Sequence, residues 1–81
     1  MKGKRFETVI ASPPEYGRLL AEIYYDGLFI AQITQERSEG VFDLETPGTD
    51  LVEEMVTRKV DLQGFLRSVE EACQRLRGEL P

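Results

Sequence analysis

The chain has 81 residues, of which 41% are hydrophobic and 31% charged, and a formal net charge of −5. That length allows one domain, residues 1–81, with a small core, and the composition is that of a folded chain, not a disordered one. The acidic balance argues against nucleic acid or an anionic membrane surface as partner, since the basic tip Lys2, Lys4 and Arg5 is too short to reverse it.

Lys4 to Ala11 reads as the first strand, with Phe6, Thr8 and Ile10 on one face and Arg5, Glu7 and Val9 on the other. Ser12-Pro13-Pro14 stops it, because two prolines remove two ladder donors. Glu15-Tyr16-Gly17 leads on into the stretch that organises the chain, Leu19 to Ile33, a hairpin around Tyr25-Asp26-Gly27. A two-residue loop would mix polar and apolar side chains on each face. A three-residue loop with Gly27 as a G1 bulge pairs Ile23 with Phe29, Ala21 with Ala31 and Leu19 with Ile33, an apolar face throughout, and is the expected register. The other face then carries Leu20, Tyr24, Leu28 and Ile30, an apolar patch edged by Glu22 and Gln32 and a candidate interface.

The third strand is expected to run to about Glu36, followed by a polar turn ending at Gly40. Val41 to Thr46 forms the fourth, with Phe42 and Leu44 inward, and Pro47-Gly48 ends it. Residues 49–60 admit two readings, a short helix capped by Asp50 or an edge strand over Met55 to Val60. The strand is preferred, with Arg58 and Lys59 blunting its edge. Asp61 caps the clearest helix, in which Leu62, Phe65, Leu66, Val69, Ala72, Cys73, Leu76 and Leu80 recur at three- and four-residue spacing. Gly64 in its first turn allows a close approach to the sheet, Glu71 and Arg75 are spaced for an ion pair, and Gly78 ends the helix. The expected fold is α+β: an antiparallel meander of four to five strands packed on one C-terminal helix, in two layers.

The order Phe6-Glu7, Ile10-Ala11-Ser12-Pro13-Pro14, Leu20-Ala21-Glu22-Ile23-Tyr24-Tyr25-Asp26-Gly27, Ala31-Gln32-Ile33 and Gln35-Glu36 resembles a group of short uncharacterised bacterial proteins with a strand-rich first half and a terminal Leu-rich helix. The resemblance covers nearly the whole chain. It departs between Thr46 and Val60, where that group has a Pro-Asp-Gly turn and an aromatic. It implies the fold and a bacterial cytoplasmic origin, and it carries over no activity and no functional residue.

Chemistry is sparse. With no histidine, the usual general base and the commonest metal ligand are missing, and so is every Ser-His or Cys-His arrangement. The single cysteine, Cys73, excludes an internal disulfide and falls on the helix's apolar stripe as a small core residue. There is no glycine-rich phosphate loop, no EF-hand spacing, no bilayer-spanning run and no signal-peptide pattern, so a cytoplasmic location is expected. Catalytic, cofactor and metal residues are therefore expected to be none. Carboxylates crowd residues 36–54: Glu36, Glu39, Asp43, Glu45, Glu53 and Glu54 form a candidate acidic docking face, with Asp50 between them and Arg37 opposing.

The leading expectation is a non-enzymatic interaction module that uses the patch Leu20, Tyr24, Leu28 and Ile30 to bind a protein partner or a second copy as a homodimer. One alternative is an acidic inhibitor, such as an immunity protein or antitoxin, that docks on a basic target and associates faster through charge complementarity. The other is a small ligand-binding domain or enzyme with a loop site.

Overall fold

A computed structural model describes residues 5–48, 54, 56, 57 and 59–79. Four strands, β1 (Phe6–Ala11), β2 (Leu20–Tyr25), β3 (Leu28–Ser38) and β4 (Val41–Glu45), form one antiparallel sheet in sequence order, and one helix, α1 (Leu62–Leu76), packs on it. This is the α+β meander-and-helix arrangement expected from the pattern. Lys4, Asp50, Glu53, Met55, Arg58 and Leu80, which enter the strand, cap, docking-face and helix expectations above, lie outside the described residues.

Hairpin β2–β3 corrects the expected register. Its loop is the two residues Asp26-Gly27, both with positive φ (54° and 81°), as the mirror-image I′ turn requires. Tyr25 therefore faces Leu28 and Tyr24 faces Phe29, but Ile23 faces Ala31 and Ala21 faces Ile33. The extra residue, Ile30, is a bulge. It removes the difficulty that disfavoured the short loop: without it, Ala21 would face Gln32. With it, Ala31 and Ile33 move onto the face of Ile23 and Ala21, and the apolar residues gather there after all.

The helix-facing core is Ala21, Ile23, Ile33 and Ala72, with Phe6, Ile30, Phe42, Phe65, Val69, Cys73 and Leu76 packed against it. Leu19 and Phe29, expected inside, are not in it. Leu19 is half exposed, and Phe29 turns to the other face, where it meets Tyr24 edge-on. Tyr25, by contrast, is on the core side and packs its ring 4.6 Å from Phe6.

The helix begins as its sequence directs. Asp61 accepts a hydrogen bond from the Gly64 amide at 2.7 Å, and α1 ends in a Schellman motif, Gly78 N–H donating to Arg75 and Glu79 N–H to Gln74, with Gly78 at φ +80°. A Cβ at Gly64 would overlap the Phe6 ring, so this glycine sets how closely helix and β1 approach. The helix lies over β1 and β2, touches β3 less and leaves β4 largely uncovered, consistent with Leu44 being half exposed. Arg75 ties it to the sheet edge, donating to the Thr8 carbonyl at 3.2 Å while paired with Glu71. Where β4 has ended, Val56 forms a single parallel bridge to Phe29, and Thr57 N–H donates to the Phe29 carbonyl. Among the described residues of the preferred edge strand, Val56 alone bridges to the sheet, and it is buried.

Candidate functional site

The face of the sheet away from the helix is built by alternation. In β2 it takes Leu20, Glu22 and Tyr24, and in β3 Phe29, Gln32 and Thr34, the bulge having set Phe29 and Gln32 on one side. In β4, Asp43 and Glu45 join them opposite Thr34 and Gln32. The loop between β1 and β2 then folds back toward this face. Glu36 anchors it, one carboxylate oxygen accepting from Gly17 N–H at 2.8 Å and the other from Arg18 N–H at 2.9 Å. Gln35 adds a second tie, donating to the Leu19 carbonyl and accepting from Gly40 N–H. This folding explains how Leu20, on the outer side by register, comes to be fully buried.

Beyond that covered end the face opens into a groove of about 560 Å³, within the range of ligand sites. Tyr24 and Phe29 supply aromatic surface, their ring centroids 5.7 Å apart. Tyr16, reaching across from the loop, forms one wall: its hydroxyl donates to Glu45 Oε1 at 2.9 Å and accepts from Gln32 Nε2. Gln32 Nε2 also lies 2.7 Å from Glu45 Oε1, which closes a three-residue polar knot. Glu22 accepts from the Tyr24 hydroxyl at 3.1 Å. Gly27 and Leu28 close the hairpin end, and Pro47, Gly48 and Glu54 the opposite rim. The groove holds the carboxylates Glu22, Glu45 and Glu54 and no cation among its described lining residues. The neighbouring charges mark the two phenols. The hydrogen bond to Glu45 holds Tyr16 above the usual phenol range, and burial, reinforced by Glu22, does the same for Tyr24.

The structure divides both predicted residue sets. Of the apolar patch, Tyr24 and Leu28 line the groove; Leu20 is buried, and Ile30 sits in the bulge against the helix-facing core. Of the acidic set, Glu45 and Glu54 line the groove. Glu36 is committed to the loop, and Asp43 makes a two-pronged pair with Arg37, both contacts 2.8 Å, which holds its carboxyl below the usual range. Glu39 is exposed in the β3–β4 turn, and Glu53 lies outside the described residues. Tyr16 and Phe29 are groove residues that belong to neither set, and Glu22 and Gln32, expected as the polar edge of the patch, line it with them. The signal for Phe29 was the short Asp-Gly loop, which with a bulge puts Glu22 opposite Gln32 and Tyr24 opposite Phe29; Tyr16 arrives from the β1–β2 loop through contacts that no local pattern marks.

Cys73, half-buried on the helix, has its thiol pushed up by burial, which disfavours the reactive thiolate. Among the described residues no group of His, Cys, Asp or Glu is arranged to hold a metal, and no helix is long and apolar enough to cross a membrane. Comparison with protein families, curated proteins and solved structures yields no match to this chain.

Proposed function

We propose that this protein is a non-enzymatic interaction module that binds a partner protein through the outer face of its sheet. One observation carries the reading: the sheet is covered by the helix on one side, and on the other it bears an open groove that pairs aromatic surface with fixed polar groups. Aromatic side chains give contact area at low entropic cost, and Tyr24, Phe29 and Leu28 are held by β-structure, so little ordering is needed on binding. The polar knot of Tyr16, Gln32 and Glu45 fixes one wall before any partner arrives.

The test is selection of ligands from a random peptide library, with and without counter-selection on Tyr24→Ser. The reading expects peptides that bind the protein and lose affinity for the variant. Selected peptides that bind both forms equally would contradict it. Filling of the groove by a second copy would instead appear as a doubled molar mass in light scattering that Tyr24→Ser abolishes. The carboxylates of two facing grooves disfavour that arrangement.

A further inference from the structure

We infer that the outer groove takes an arginine side chain from a partner protein, an assignment that rests on the groove being a binding surface. The argument is charge complementarity within one built cavity. Glu22 on β2 and Glu45 on β4 flank β3, their orientations fixed by Tyr24, Tyr16 and Gln32. Glu54 adds a third carboxylate to the rim. A partner group entering here meets carboxylates and ring faces, with no described cation to compete. An anionic group would meet three like charges there.

The shape of the lining selects guanidinium over ammonium. An edge-on pair such as Tyr24–Phe29, interplanar angle 71°, leaves a ring face turned away from the contact. A planar guanidinium stacks on such a face while its N–H fork reaches carboxylates at the ring's periphery; an ammonium offers only a point charge and is more strongly hydrated. The same protein already places the Arg77 guanidinium over the Phe42 ring, 5.7 Å from its centroid, on the opposite side of the sheet. The occupant is a side chain on a protein segment, because the groove of about 560 Å³ exceeds one guanidinium and its further lining, Phe29, Leu28 and Pro47, offers contact beyond the charged group.

The experiment is an NMR titration of the full-length protein with acetyl-Gly-Arg-Gly-amide, following the Tyr24 and Phe29 ring signals and the backbone amides. The controls are the citrulline peptide, which keeps the shape and removes the charge, the lysine peptide, and free argininamide. The expected result is saturable shifts at Tyr24, Phe29 and Gln32. Affinity should fall about tenfold or more for citrulline, as expected for loss of charge-assisted hydrogen bonds, and weaken with salt. Glu22→Gln combined with Glu54→Gln should weaken the arginine peptide and leave the citrulline peptide unchanged. Equal binding of the citrulline or lysine peptide would overturn the guanidinium assignment. Equal binding of argininamide would overturn the protein-segment source. If none of these probes shifts the groove while library-selected peptides of other chemistry still occupy it, this inference fails and the binding reading stands. Selected peptides that ignore the groove overturn both.

Discussion

The two faces of the sheet use the same strands for opposite ends. On the helix side, small and branched apolar residues, Ala21, Ile23, Ile33 and Ala72, are sealed by close approach of α1 at Gly64. Burial there rests chiefly on shape, with Ser68 buried on the helix beside Gly64 and Ala72. On the outer side, alternation brings up the partly buried Glu22, Tyr24 and Gln32 and the exposed Glu45, which join in hydrogen bonds and leave a cavity open. A single inserted residue, Ile30, produces the difference. It lets a tight Asp26-Gly27 turn coexist with an apolar inner face, and it pushes the polar remainder of β2 and β3 together on the outside.

The comparison is broken most severely by cutting into the sealed side. Ile23→Ala removes a fully buried branched side chain and should cost about 2–5 kcal/mol of unfolding free energy in a denaturant titration. Leu20→Ala should cost a similar amount, because the loop over the outer end buries Leu20 as completely. A loss well under 1 kcal/mol at Leu20 would mean that the outer end is as open as the groove.

A smaller effect is expected where the helix meets β1. Gly64→Val gives the helix a side chain that overlaps Phe6, and overpacking of this kind costs about 1–3 kcal/mol, more than the gain in helix propensity returns. Asp61→Ala removes the bond to the Gly64 amide and should cost about 1 kcal/mol. Both are read by thermal or denaturant unfolding, and both should leave the groove's ligands unaffected.

The smallest effect sharpens the outer side. Tyr16 and Tyr24 should ionise above the ordinary phenol range when phenolate absorbance is followed with rising pH. Their folded-state values are raised, so their contribution to stability is complete below the unfolded phenol value and is lost as pH climbs through the folded one. Glu45→Gln removes the carboxylate that raises Tyr16 and should bring that residue's titration back toward normal while leaving Tyr24 where it is.

Much of the fold was legible in particular residues. The prolines at 13 and 14, the Asp61 cap and the Gly40 and Gly78 stops each act within a few residues and stand where the sequence placed them; of the apolar stripe of α1, Phe65, Val69, Ala72, Cys73 and Leu76 pack on the sheet, whereas Leu62 and Leu66 are exposed. The hairpin register was not legible, because unbroken alternation along β3 put the bulge in the turn, at Gly27, and excluded one inside the strand, at Ile30. That error carried into the site. Once Ile30 is counted as inserted, Phe29 moves to Tyr24 and Gln32 to Glu22, and the candidate patch becomes a groove. The commitments of Glu36 to the loop and of Asp43 to Arg37 depend on contacts across 19 and 6 residues, the first beyond any local pattern and the second created by the β3–β4 turn.

The most direct test of the division between a stabilising face and a working face is the amide shift footprint of a library-selected peptide on the isotope-labelled protein. The account predicts perturbations at Tyr16, Tyr24, Phe29, Gln32 and Glu45, with the signals of Ala21, Ala72 and Val69 unmoved. Perturbations centred on Leu44, Val60 and Phe65, the uncovered part of the helix side, would contradict it.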